Sequence, residues 1–231
     1  MSSFDDSRLD DPAALEATDH LMRRLAMAGA RVRAELEAAE EALSNVANDG
    51  FRPRAVLAAG RDARLVASDV RPHRAGLVRT ATARTGRAGV LVADGTRPAW
   101  RASAFDRVLA DVPCSGLGAL RRRPEARWRR SPDEVASLGG LQRALLATAL
   151  DSTRPGGVVA YVTCSPHLAE TRDVLADVLA ARADAEVLDA PALLPEVPGL
   201  RCPADGGQYA QFWPHRHGTD AIFLAVLRRR A

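Results

Sequence analysis

The pattern of apolar and polar positions divides the chain into two textures. From Asp11 to about Asn45 the apolar residues Ala14, Leu15, Leu21, Leu25, Val32, Leu36 and Leu43 recur at roughly helical spacing with charges between them. This predicts a helix or helix pair, ended by Asn-Asp-Gly at 48–50. From residue 64 onward, short apolar runs alternate with amphipathic ones. RLVASDV (64–70), GVLVADG (89–95), FDRVLADVP (105–113), GGVVAYVTCS (156–165), AEVLDA (185–190) and AIFLAVLRRR (221–230) read as strands. Helices are predicted over 72–84, 132–153 and 167–182, the second introduced by Ser131-Pro132-Asp133-Glu134, a helix-start signal. Strands alternating with helices predict a mostly parallel α/β sheet, whose functional crevice lies at the carboxyl ends of the strands. The chain thus divides into an acidic helical extension over 1–50 and an α/β domain over 51–231.

Length and charge sharpen this picture. A chain of 231 residues suits one sizeable domain with a real core. The net charge of +3 hides a split, because residues 1–50 hold eleven acids against five arginines. The basic excess therefore belongs to the α/β part, which suits a polyanionic partner. All 32 basic residues are arginine, which GC-rich coding explains without invoking function. Three cysteines without metal-ligand spacing, together with the absence of a signal peptide or long apolar run, point to a cytoplasmic protein with reduced thiols and no membrane segment.

Candidate chemistry gathers where predicted strands end: Asp69, Asp94, Asp111 with Cys114, and Cys164. A carboxylate closing the second strand of a nucleotide-binding sheet commonly accepts ribose hydroxyls, although each Asp alone reads equally as a turn residue. Cys114 follows Pro113 and precedes the flexible Ser115-Gly116-Leu117-Gly118, while Cys164 follows an apolar strand directly. A lone free cysteine is usually a small buried hydrophobe, but two at equivalent strand exits of one sheet weigh against that reading. A phosphatase-type loop needs five residues between Cys and Arg; six separate Cys114 from Arg121. Arg121, Arg122, Arg123, Arg127, Arg129 and Arg130, interleaved with Trp128, offer phosphate contacts and a stacking surface for RNA, against the alternative of a solvated helix face. His215 and His217 have no further ligands at suitable spacing, so no metal is expected.

The stretches DVPCSGLGALRRRPEARWRR, YVTCSPHLAETRDVL and QFWPHRHGTDAIFLAVL resemble the RNA (cytosine-5)-methyltransferase family, in particular its bacterial branch acting on small-subunit ribosomal RNA. The resemblance runs from about Ala58 to the C-terminus. It implies a Rossmann-like S-adenosylmethionine-dependent methyltransferase fold and cytosine in ribosomal RNA as substrate. It also implies that Cys164 is the nucleophile, that Cys114 is the thiol assisting product release, and that Asp69, Asp94 and Asp111 contact S-adenosylmethionine. The target base must be single-stranded or turned out of its stack, since neither of its faces is open inside a helix.

One family feature is missing. The family opens its catalytic domain with a strand and a glycine-rich loop, roughly Asp-x-Cys-Ala-x-Pro-Gly-Gly-Lys-Thr, whose amides approach the methionine end of the cofactor. Here AVLAA (55–59) stands only four residues before Arg64, too few for a parallel crossover of about ten to twelve residues, so it reads as the end of a helix capped by Gly60. The fold is therefore expected to be incomplete at its first strand, and to be without the separate N-terminal RNA-binding domain of the ribosomal branch. Two readings stay open: an RNA cytosine-5 methyltransferase, and a catalytically inert RNA-binding module that keeps the basic surface.

Overall fold

Parallel pairing organises the molecule. The computed structural model describes residues 43–44, 64–83, 86–129, 131–202 and 206–231. Their strands are β1 (Leu43–Ser44), β2 (Leu65–Asp69), β3 (Ala88–Val92), β4 (Phe105–Asp111), β5 (Thr153–Thr163), β6 (Ala185–Leu188), β7 (Ala210–Gln211) and β8 (Phe223–Arg229). They form one sheet in the order β3-β2-β1-β4-β5-β8-β6, with β7 beside β8. The pairs from β3 through β5 are parallel, and β8 runs antiparallel between β5 and β6. This is the mostly parallel α/β architecture expected from the alternation of strands and helices, and the Rossmann-like fold that the resemblance implies.

The helices are α1 (Pro72–Thr82), α2 (Ala126–Arg129), α3 (Pro132–Ser152), α4 (Arg172–Ala181) and α5 (Pro214–His217). The start of α3 follows from its sequence. Pro132 occupies the first turn, Ser131 Oγ accepts the Glu134 amide, and the Glu134 side chain accepts the Ser131 amide in return. Sheet burial explains why the strands read as apolar runs rather than alternating ones. On one face Val159 and Tyr161 of β5 join Phe223, Ala225 and Leu227 of β8, Leu146 and Leu150 of α3, and Val174 and Leu175 of α4. On the other, Val158 and Val162 join Leu224 and Val226 with Leu194 and Phe212. Both faces of the sheet centre are therefore covered, leaving its carboxyl edge as the place for chemistry. No helix among the described residues is long and apolar enough to cross a membrane.

Two expectations need correction. The helical reading of 11–45 fails at its end, because Leu43–Ser44 is a strand inserted between β2 and β4. Leu43 pairs with Leu65 and Arg107, and Ser44 with Val66 and Val108. The backbone groups that β2 and β4 turn towards each other need partners, and that demand outweighs weak local helix propensity. The central position is thus held by two described residues, both from the stretch assigned to the acidic extension; the rest of that helix and the Gly60 cap lie outside the described residues. The predicted helix over 167–182 is also broken. A 3-10 turn at Leu168–Glu170 precedes α4, and Thr171 between them leaves the helical region with φ −124 and ψ −92. The break turns Glu170 and Thr171 inward, where both are fully buried.

Candidate active site

The predicted site residues gather at the carboxyl edge of the parallel strands. Asp69 closes β2, Asp94 follows β3 by two residues, Asp111 closes β4 with Cys114 three residues on, and Cys164 follows β5 directly. Cys114 and Cys164, fifty residues apart in sequence, meet with their Sγ atoms 3.1 Å apart, and neither forms a disulfide. At that distance one sulfur donates its hydrogen to the other.

The surroundings act on the thiol of Cys114. The Cys114 thiol is pushed well up by its hydrogen bond with Cys164, then by burial, then by the charge of Cys164; the Gly116 amide opposes this and Glu170 adds to it. Together these causes favour the neutral form of Cys114.

Local backbone explains how the two loops come together. Gly116 has φ 74, the left-handed region that suits glycine, and turns the chain into the 3-10 segment Leu117–Ala119. Gly118 donates its amide to the Cys164 carbonyl (2.9 Å) and accepts the Ala221 amide (2.9 Å). A Cβ at this position would sit 2.0 Å from the Ala221 oxygen and 2.8 Å from the Cys164 oxygen, so only glycine fits between the two segments. Beneath the thiols lies a buried polar cluster of Ser115, Gln142, Ser165 and Glu170, which the sequence pattern does not reveal. Its one sequence signal is a charged residue, Glu170, at the start of an otherwise amphipathic helix pattern; nothing there marks it as buried.

The aspartates differ in character. Asp69 is 3% exposed; its Oδ1 accepts the Arg71 amide at 2.8 Å, and its Oδ2 has no hydrogen-bond partner among the described residues. A buried carboxylate oxygen calls for a donor, and the two hydroxyls of a ribose supply that chemistry. The nucleoside half of S-adenosylmethionine therefore fits this end of the site. Asp94 is exposed; its Oδ1 accepts the amide and hydroxyl of Thr96 at 2.9 and 2.8 Å, and these bonds hold its carboxyl below the usual range. Asp111 is buried at the end of β4.

The arginine strip does not act as one surface. Arg122 directs Nε (3.0 Å) and Nη2 (2.5 Å) onto Asp220, whose side chain is 4% exposed, so its role is to pin the loop before β8 rather than to hold phosphate. Arg121 is half-buried, with its Nε enclosed. Arg123 and Arg127 face solvent, as does Trp128 at 83% exposure. Arg129 ends α2 with a side chain that is not described, and Arg130 lies outside the described residues. Removing Arg122 strands a buried carboxylate. Since the arginine is itself half-exposed, Arg122→Ala is expected to cost roughly 1–2 kcal/mol, a melting shift of about 2–8 °C in a scanning thermal melt. A melt identical to wild type would return Arg122 to the solvent-facing set. His217 is occupied structurally, accepting the Trp213 amide at Nδ1 and meeting the Pro198 carbonyl at Nε2. Among the described residues no group of three or more His, Cys, Asp or Glu is placed to hold a metal ion.

Comparison with known proteins adds a family match. Residues 38–228 match the family model described as 16S rRNA methyltransferase RsmB/F. The match begins twenty residues before Ala58 and so takes in the Leu43–Ser44 strand. A putative methyltransferase, Rv1407, of Mycobacterium tuberculosis (strain ATCC 25618 / H37Rv) is 54% identical over 168 residues, covering 72% of this chain and 35% of that protein. The ribosomal RNA small subunit methyltransferase B of Sodalis glossinidius is 40% identical over 146 residues, covering 61% of this chain and 33% of that protein. The crystal structure of PH0851 superposes with a TM-score of 0.76 at 26% identity, covering 89% of this chain and 45% of that one. The chain thus spans about a third of the length of these curated relatives.

Proposed function

The chain belongs to the 16S rRNA methyltransferase RsmB/F family, and from that premise we propose that it transfers a methyl group from S-adenosylmethionine to carbon 5 of a cytosine in small-subunit ribosomal RNA through a covalent Cys164 adduct. The observation that carries this reading is the 3.1 Å approach of two thiols from separate strand exits. Carbon 5 of cytosine is too weak a nucleophile to react unaided. Addition of the Cys164 thiolate at carbon 6 pushes electron density onto carbon 5 and removes that barrier.

S-adenosylmethionine, when bound, supplies an electrophilic methyl group to that activated carbon. Asp69 Oδ2 accepts from the ribose end, with Asp94 and Asp111 lining the same edge. The thiol pair then changes state by its own chemistry. Once Cys164 is bonded to carbon it carries no charge, so the effects of its charge and of its hydrogen bond on Cys114 are lifted, while burial still favours the neutral thiol. Cys114 loses its proton to solvent, and its thiolate takes the carbon-5 proton as the carbon–sulfur bond breaks. Cys164 leaves as thiolate, and the original pair is restored with methyl in place of hydrogen.

RNA is held, on this reading, by the solvent-facing members of the strip. Replacing Arg123 and Arg127 together with serine is expected to weaken RNA binding and to flatten its salt dependence, by a slope of about 0.7 for each single-strand phosphate that is no longer neutralised. Trp128→Ala is expected to weaken binding without changing that slope, because stacking releases no counterions. Filter binding across a salt titration reads both; slopes equal to wild type would leave the strip a solvated face.

A second reading, an inert RNA-binding module, is favoured by one observation. The residues that follow the Leu43–Ser44 strand, Asn45-Val46-Ala47-Asn48-Asp49-Gly50, carry no glycine-rich Pro-Gly-Gly loop. Incubation with 16S ribosomal RNA tritiated at cytosine carbon 5 separates the two. Tritium release matched by 5-methylcytosine supports the enzyme; retained RNA with neither supports the module.

A further inference from the structure

The separation of Cys114 and Cys164 is a tertiary property, since each thiol sits on its own loop. A fully buried carboxylate, Glu170, ties those loops together. Its Oε1 accepts the Ser115 amide at 2.6 Å and Gln142 Nε2 at 3.3 Å, and its Oε2 accepts the Ser115 hydroxyl at 2.6 Å. Gln142 Nε2 also donates to the Pro113 carbonyl at 2.9 Å, so both chain neighbours of Cys114 are held. On the Cys164 side, the hydroxyl of Tyr161 in β5 donates to the Glu170 carbonyl at 2.8 Å, and Ser165, next to Cys164, lies 3.4 Å from the Ser115 hydroxyl through its Oγ. Burying a carboxyl group is costly, and Glu170 forms no ion pair among the described residues. Stability alone does not account for it.

We propose that Glu170 is the positioning residue of the thiol pair: by docking the Pro113–Ser115 turn onto the loop that carries Cys164, its carboxylate sets the 3.1 Å approach of the two sulfurs. Its charge also lies near Cys114 and helps hold that thiol protonated, behind the larger effects of Cys164 and burial. The geometric part stands independently of the proposed function; its consequence for turnover rests on that function.

The test uses diamide, which joins two adjacent thiols as a disulfide while their two hydrogens pass to its nitrogen–nitrogen double bond. With RNA and methyl donor absent, the rate of Cys114–Cys164 crosslinking is followed by peptide mass spectrometry after the remaining thiols are blocked. Glu170→Gln places an amide N–H₂ against the donors of Ser115 and Gln142, and is expected to slow crosslinking at least tenfold in protein whose near-ultraviolet circular dichroism matches wild type. Ser115→Ala keeps the amide contact and removes only the hydroxyl, and is expected to slow it about threefold. Either variant, folded and crosslinking at the wild-type rate, overturns the proposal; if Glu170→Gln does not fold, Ser115→Ala decides alone. A wild-type protein that does not crosslink overturns it as well. In turnover, Glu170→Gln is expected to lower kcat at least thirtyfold with KM for RNA within threefold, a split that general destabilisation does not produce. A wild-type chain without turnover would count against the function proposed above and leave the crosslinking comparison to decide on Glu170.

Discussion

Cys164→Ala is expected to eliminate both methylated product and covalent protein–RNA adduct, while Cys114→Ala is expected to accumulate the adduct. The two outcomes differ because the two sulfurs act on different bonds. Without Cys164 nothing adds to carbon 6, carbon 5 stays unactivated, and turnover falls to the uncatalysed background. Without Cys114 addition still proceeds, but the carbon-5 proton has no thiolate 3.1 Å from the leaving sulfur to receive it. Loss of a positioned base typically costs about 10²–10⁴ in rate, so attachment outruns release. A denaturing gel after incubation with RNA and S-adenosylmethionine reads both variants. An adduct that persists in Cys164→Ala and never forms in Cys114→Ala would exchange the two roles. The surroundings of Cys114 point the same way, since the hydrogen bond and charge of Cys164 together with burial favour the neutral form of Cys114 in the resting site.

That both thiols were legible in the sequence follows from the sheet. Strands buried on both faces leave long apolar runs, and the first reactive side chain after such a run sits at the carboxyl edge by construction. Cys164 directly after β5 and Cys114 three residues beyond β4 obey this rule. The groups that hold them did not show, for a physical reason. Glu170 reads as one more charge on an amphipathic helix, because a charged residue carries no local mark of burial; only the fold brings Ser115 and Gln142, 55 and 28 residues away, to its oxygens. The same holds for Arg122, whose Asp220 partner lies 98 residues on, so a strip of arginines read as one surface divides into structural and exposed members. Leu43–Ser44 was hidden by tertiary override: a segment with helical spacing is drawn into a strand by the unmet pairing of its two neighbours.

Weak binding of S-adenosylmethionine is the second large effect expected, and it arises at this central strand. In the resembled family a glycine-rich turn after the first strand presents amides to the charged methionine end of the cofactor. Here the described part of that strand is Leu43–Ser44, which pairs with Leu65–Val66 and Arg107–Val108, and the sequence that follows offers neither the paired glycines nor the lysine of that loop. On the proposed function, the nucleoside end keeps a candidate partner in Asp69 Oδ2, which is buried without a hydrogen-bond partner among the described residues. The methionine end loses hydrogen bonds to a charged group, each contributing roughly 1.5–3 kcal/mol. Losing two of them costs about two to four orders of magnitude in affinity. Calorimetric titration of the purified chain is therefore expected to show S-adenosylmethionine binding no tighter than about 0.1 mM, from a starting point on the order of 1 μM. Adenosine, which lacks the methionine end, should bind nearly as well, and Asp69→Ala should weaken both alike. One-site micromolar binding that Asp69→Ala abolishes would show instead that residues 45–63 rebuild the missing half of the pocket. In that event the covalent adduct of Cys114→Ala should saturate at micromolar rather than near-millimolar S-adenosylmethionine.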